Sequence, residues 1–213
     1  MAIEITCTGC GKVLHLPDAA DGKKGKCPHC GAMLQVPAVE VLPKGDPLGF
    51  AYPPATLSLW DAVDEGNTAQ VKAHIYHKAD INVKDSDGQT PLHIAARVDG
   101  VEMARLLLAH GANVNANDNQ GKTPLFAAAR KGSKPMIELL TANGADINAR
   151  NNDGWTPLHL VARFGQRDAV QLLIGKGADI NARNNSGKTA LQVALDERKG
   201  TVVEALRKAG AKE

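Results

Sequence analysis

The sequence predicts a mostly α-helical solenoid of stacked repeats, preceded by a small N-terminal domain of β type. Two observations predict the solenoid: two unrelated motifs recur along most of the chain with the same step of 33 residues, and no insertion interrupts their register. Self-similarity at a fixed step of this length is the signature of a repeat architecture. A third observation predicts the small domain, since all four cysteines lie before residue 31 in two closely spaced pairs.

The first motif marks the beginning of a helix. Thr90-Pro91-Leu92-His93 recurs at 123–126 and 156–159, and in a weaker form at 189–192. Threonine is a good N-cap, and proline suits the first helical position because an N–H there would have no helical partner. The alanines that follow the motif are small enough for neighbouring helices to approach closely. The motif therefore predicts one short, closely packed helix in each repeat.

The second motif marks the end of a second helix and the turn that follows it. Gly111-Ala112-Asn113-Val114-Asn115 recurs at 144–148 and 177–181. Its glycine is typical of a helix C-cap, and an apolar stripe precedes it. The stretches rich in Asp, Asn and Gly, such as 151–154, favour the tip of a hairpin. Each unit is therefore predicted to be a helix, a second helix and a hairpin, which we call the finger.

This unit resembles the ankyrin repeat over about 157 of the 213 residues. The resemblance implies about five units, in residues 57–213, that stack into a curved solenoid with a concave binding face made by inner helices and fingers. The first and last units depart from the motif and are expected to be caps. The last has Ala190 and Gln192 in place of Pro and His, which predicts a weakened helix start.

Two histidines recur at one position of the repeat, His93 and His159. The resemblance implies that this histidine ties the finger to its helix through hydrogen bonds, rather than acting in catalysis or metal binding. The sequence shows no nucleophile motif, no P-loop and no Gly-x-Gly-x-x-Gly pattern. We therefore expect a protein that is not an enzyme.

The four cysteines form a pattern that is typical of zinc. Cys7, Cys10, Cys27 and Cys30 give two C-x2-C pairs separated by sixteen residues, a spacing that suits four thiolates around one Zn²⁺. The alternative is two disulfide-forming or redox pairs. A segment under ~40 residues has too little core to fold without a staple, which favours the metal. The segment resembles the short zinc ribbons of bacterial proteins, which implies one structural zinc ion in a domain over residues 1–37.

Composition limits the remaining classes. Residues 38–56 are rich in proline and predict a semi-extended linker. The net charge of +2 and the 3% aromatic content argue against a dedicated nucleic-acid binder. Apolar runs are shorter than the ~20 residues of a membrane span, and no signal segment precedes the first cysteine. We therefore expect a cytoplasmic protein.

Candidate binding residues come from positions that the repeat pattern leaves variable. The two residues that follow each inner helix include a column of arginines that ends in an acidic pair, and the fingers add cationic and aromatic side chains. The candidates are Arg97, Arg130, Lys131, Arg163, Phe164, Lys122, Trp155 and Lys188. These arginines could equally be ordinary solvated helix residues. The pattern predicts protein–protein interaction with an acidic partner, with the ribbon as an accessory docking element. The alternative is a nucleic-acid-associated adaptor that binds through lysines of the ribbon.

Overall fold

The chain divides into two compact units, residues 1–53 and 54–213. The computed structural model describes residues 3–6, 13–16, 24–26, 33–35 and 55–212. The described part of the first unit contains two antiparallel strand pairs. Strand β1 (Ile3–Thr6) pairs with β2 (Val13–Leu16), and β3 (Lys24–Lys26) pairs with β4 (Met33–Gln35).

The second unit consists of five consecutive helix pairs, as the repeat predicts. The ten helices of the described residues are α1 (Leu59–Asp64), α2 (Thr68–Tyr76), α3 (Pro91–Val98), α4 (Val101–Ala109), α5 (Pro124–Lys131), α6 (Lys134–Ala142), α7 (Pro157–Phe164), α8 (Arg167–Gly175), α9 (Ala190–Asp196) and α10 (Gly200–Lys208). The prediction of an all-helical stack of about five units is confirmed.

The odd-numbered helices form an inner layer in which each packs on the next, from α1 to α9. In the outer layer, α4, α6, α8 and α10 pack in the same order. The leucine of the first motif is fully buried or nearly so at every step: Leu92, Leu125, Leu158 and Leu191. Burying one such side chain is worth about 1.5–3 kcal/mol relative to leaving it exposed. Alanines of the inner helices are also inaccessible, which lets these helices approach closely; among them are Ala95, Ala96, Ala128, Ala129, Ala162 and Ala194.

The last repeat keeps a complete helix start. The Thr189 N–H donates a hydrogen bond to Gln192 Oε1 (2.9 Å), and the Gln192 N–H donates to Thr189 Oγ1 (3.3 Å). This reciprocal arrangement is a capping box. The expectation that Gln192 weakens this start was wrong, because its amide oxygen accepts the same backbone hydrogen bond as the histidine nitrogen of other repeats.

Asparagine side chains connect the fingers of neighbouring repeats. The Asn119 N–H donates to Asp87 O (2.9 Å), and Asn119 Nδ2 donates to Ser86 O (3.0 Å) in the preceding finger. Asn152 and Asn185 make the equivalent pair of bonds one and two repeats later. These bonds satisfy backbone groups that turns leave unpaired, and they fix the position of each finger relative to the next.

Two finger glycines provide a matched test of this contact. Gly121 and Gly187 both have a left-handed backbone, with φ of +72° and +74°. A Cβ atom on Gly121 would lie 2.5 Å from Asn152 Oδ1, whereas the space around Gly187 is open among the described residues. We predict that Gly187→Ala costs about 1–3 kcal/mol for the backbone conformation. Gly121→Ala should cost clearly more, because it also displaces Asn152. Urea unfolding of both variants measures the difference, and equal losses would contradict the proposed role of finger contact.

Candidate functional site

An open groove runs between the fingers and the inner helices of the second, third and fourth repeats. Its volume is about 1170 Å³. The last two residues of three inner helices line one side, and finger residues line the other; the charged and apolar residues that matter below are Arg97, Val98, Arg130, Lys131, Arg163, Phe164, Asp87, Asp118 and Lys122. We call this feature the inner groove.

Six of the eight candidate binding residues line the inner groove: Arg97, Arg130, Lys131, Arg163, Phe164 and Lys122. Trp155 is adjacent to it, since its ring centroid lies 5.6 Å from the guanidinium carbon of Arg163 and 5.6 Å from the ring centroid of His159. Lys188 belongs to the last finger and forms an ion pair with Asp196 (2.8 Å). The repeat period therefore brings most of the candidates to one surface, but not all of them.

The three arginines of the column are not equivalent. Arg97 Nη2 lies 2.7 Å from Asp64 Oδ1 in the preceding repeat, and Arg163 Nε lies 3.3 Å from Glu197 Oε1 in the following repeat. Both pairs are about half exposed, so each contributes little to stability. They nevertheless place a carboxylate directly beside two of the three guanidinium groups. The repeat period predicts that these arginines share one surface, whereas their acidic partners become apparent only in the structure.

The middle of the groove holds cations that lack such partners. Arg130 and Lys131 are exposed, and neither forms an ion pair with any residue in the part of the chain that the structure describes. Lys122 Nζ, on the finger side, donates a hydrogen bond to the neutral amide oxygen of Gln120. The positive charge that remains available to a ligand is therefore concentrated in the third repeat.

The inner groove that holds these cations also has apolar surface. The side chain of Phe164 is 45% exposed, one of two large hydrophobic residues so exposed among the described residues. Leu160, Ala127 and Val98 are partly exposed and also line the groove. An exposed aromatic ring next to free cations is a common composition of binding sites on protein surfaces.

The inner helix of the third repeat, α5, begins without the capping histidine that is present in α3 and α7. Phe126 occupies the position of His93 and His159, and it is buried. Without the histidine, the buried hydroxyl of Thr123 has no hydrogen-bond partner among the described residues. Both residues line the inner groove. The substitution is visible in the sequence, but only the structure shows that it leaves a polar atom unpaired beside the groove.

The two repeat histidines have structural roles. The Thr90 N–H donates to His93 Nδ1 (3.1 Å), and His93 Nε2 lies 3.0 Å from the carbonyl oxygen of Lys122 in the next finger. His159 makes the same contacts with Thr156 and with the carbonyl oxygen of Lys188. Both ring nitrogens are thus occupied in the neutral tautomer that carries its proton on Nε2. Burial lowers the pKa of His93 and that of His159, which keeps both rings neutral at pH 7.

The predicted zinc ligands lie outside the described residues, as do residues 38–54 of the predicted linker. Within the described ranges, no group of three or more His, Cys, Asp or Glu side chains is arranged to hold a metal ion. None of the helices in those ranges has the length and apolar character that crossing a bilayer requires.

Comparison with protein families is decisive for the second unit. A family model described as ankyrin repeats in three copies matches residues 59–151 and again 136–213. The chain belongs to the ankyrin-repeat family. Ankyrin-repeat domains are generally protein–protein interaction modules and typically non-catalytic, and no enzyme family matches. None of the curated proteins compared with the chain matches it.

The histidines of this ankyrin stack predict a pH dependence of its stability. The pKa of each ring is lower in the folded state than the ordinary value of about 6.5, so the unfolded chain binds more protons below that pH. The contribution of the two neutral rings to the free energy of unfolding is therefore complete above about pH 6.5. It is lost as the pH falls towards the lowered pKa values of the folded state. Each histidine contributes a slope of at most about 1.4 kcal/mol per pH unit.

The variant that tests this pH dependence is His93→Gln/His159→Gln. Glutamine is a suitable replacement because Gln192 completes the capping box of the last repeat. We predict that urea unfolding shows a smaller loss of stability between pH 7.5 and 5.5 in this variant than in the parent. The other histidines are present in both proteins and cancel in the comparison. An identical loss in the two proteins would mean that these rings do not titrate with unfolding.

Proposed function

We propose that this chain is a protein–protein interaction module whose inner groove binds an acidic segment of a partner protein. The observation that carries the proposal is the pair Arg130 and Lys131, exposed and without ion pairs among the described residues, in the same groove as the exposed ring of Phe164. Guanidinium groups bind carboxylates through two parallel hydrogen bonds, which gives both affinity and orientation. An aromatic ring adds apolar area at low cost in conformational entropy.

The composition of the groove favours a peptide over a nucleic acid. Asp87 and Asp118 line the same groove and would face the phosphates of a bound strand. The net charge of the whole chain is only +2, whereas binding to a phosphate backbone depends on many cations. A peptide offers carboxylates at selected positions and apolar side chains between them, which matches a site of mixed character.

The interface experiment is a charge reversal at the centre of the groove. Capture of proteins from a native extract on the immobilised chain should lose a specific set of partners in Arg130→Glu/Lys131→Glu, because two attractions become repulsions. The matched control is Arg167→Glu/Lys176→Glu, which changes the charge equally at exposed residues that do not line the groove. Retention of the same partners by the groove variant would place recognition elsewhere.

Reversal of all three column arginines would be a less specific test. Glutamate at position 97 would face Asp64, and glutamate at position 163 would face Glu197, so that variant would also place like charges between repeats. Arg130 and Lys131 have no such neighbours among the described residues, so their reversal acts on the ligand and not on the stack.

We propose in addition that Cys7, Cys10, Cys27 and Cys30 hold one structural zinc ion in an accessory ribbon. The spacing of the cysteines supports this, and so does their place in the chain. Each pair lies in a six-residue connection between two antiparallel strands, β1 to β2 and β3 to β4. Two hairpins of equal layout, each with two thiolates in its connection, suit a tetrahedral site with four sulfur ligands.

The zinc proposal predicts one zinc ion per chain in elemental analysis of the purified protein. Cys27→Ser should lose the metal, because three thiolates leave the site open, while thermal unfolding of the ankyrin stack should be unchanged. Salt-dependent retention of both proteins on nucleic acid addresses the alternative adaptor function of the ribbon. A metal-free chain with two disulfides by mass spectrometry would contradict the zinc site.

A further inference from the structure

Charge along the inner-helix column follows a symmetrical order. At steps of 33 residues the column reads Asp64, Arg97, Arg130, Arg163 and Asp196. A second acidic residue follows at each end, Glu65 and Glu197, at the position that Lys131 holds in the middle repeat. All of these side chains are on exposed residues. At the first of these positions the terminal repeats are thus acidic and the three central repeats are basic.

The contacts show what this order does to the groove. Asp64 lies against Arg97 (2.7 Å), Glu197 against Arg163 (3.3 Å) and Asp196 against Lys188 (2.8 Å). A carboxylate of a ligand that approaches Arg97 or Arg163 therefore meets a charge-balanced pair and not a free cation. Further out, it meets Glu65 at one end, which has no ion pair among the described residues. Net attraction for an anion is confined to the middle.

From this arrangement we infer that the inner groove selects a short acidic motif with uncharged flanks, and that the acidic ends of the column limit its length. The inference rests on the proposed function and adds the class of partner to it. A long run of acidic residues gains nothing from its outer charges, because they lie opposite the charge-balanced pairs of Asp64, Asp196 and Glu197, and at one end they are repelled by Glu65. The apolar surface around Phe164 and Leu160 accommodates a hydrophobic side chain within the motif.

Helix spacing sets the size of that motif. Packed helices lie about 8–10 Å apart, so two steps from Arg97 to Arg163 span roughly 16–20 Å and four steps from Asp64 to Asp196 span roughly 32–40 Å. An extended peptide advances about 3.3 Å per residue. The acidic part of the ligand therefore occupies at most about five or six residues, and two or three uncharged residues on either side reach the acidic ends.

Two synthetic peptides of about twelve residues, designed at this length, distinguish the inference from simple charge attraction. The central-acid probe is Gly-Ser-Gly-Ser-Glu-Leu-Glu-Glu-Ser-Gly-Ser-Gly, and the long-acid probe has glutamate in place of every serine. Anisotropy of a neutral dye on each peptide measures affinity at low ionic strength. Charge attraction alone favours the long-acid probe, whereas the acidic ends of the column favour the central-acid probe. We expect the parent protein to prefer the central-acid probe by about threefold or more.

The variant Asp64→Asn/Glu197→Gln removes one negative charge from each end of the column, and it leaves Arg97 and Arg163 without their ion-pair partners. We expect it to reverse the preference, with the long-acid probe gaining about tenfold in affinity. The matched control is Asp168→Asn/Glu102→Gln, which makes the same two chemical changes in surface ion pairs of the outer helices. It should keep the preference of the parent.

The outcomes separate this inference from the proposed function. A parent protein that binds the long-acid probe more tightly, with the same preference in Asp64→Asn/Glu197→Gln, overturns the length limit and leaves the acidic partner in place. A parent protein that binds neither probe overturns both. Loss of the parent's preference in the outer-helix control also overturns the inference, because the effect then depends on total charge and not on its position in the column.

Discussion

Contact between neighbouring repeats is the interaction on which the rest of this structure depends. One helix pair is too small to enclose its own apolar side chains, and Leu92, Leu125 and Leu158 reach complete or nearly complete burial only because each inner helix packs on the next. Nearest-neighbour packing of this kind makes a solenoid stable as a sum of similar interfaces. It also divides the sequence into residues that serve the stack and residues that are free to serve a partner.

Several residues that look functional belong to the first group. His93 and His159 cap a helix and bind a carbonyl oxygen of the next finger, and Asn119 bridges two fingers. Their recurrence at every step or at alternate steps reflects contacts within the stack that are repeated from one unit to another. Arg97 and Arg163 belong to both groups, since they line the groove and also form ion pairs with a neighbouring repeat.

The third repeat differs from its neighbours in its helix start and in its ion pairs. It replaces the capping histidine with Phe126, leaves the Thr123 hydroxyl unpaired among the described residues, and carries Arg130 and Lys131 without ion pairs there. Natural sequences depart from local structural rules mainly where function requires it. The departure here lies at the centre of the groove, where a ligand would contact the most repeats at once, and it is consistent with a binding role for this repeat.

The resemblance to the ankyrin repeat implied the structural role of the histidines, and the sequence by itself determined the repeat length, the number of helix pairs and their boundaries to within a few residues. These follow from a 33-residue period because every repeat must solve the same packing problem with the same residue types. The repeat period also predicted that most of the candidate residues share one surface, because residues one period apart lie in a column, and six of them line the inner groove. Only the tertiary structure decided which cations of that column are free. An ion pair between Arg163 and Glu197 depends on the distance between two side chains of different repeats, and periodicity fixes the backbone positions of such residues without fixing which of them meet.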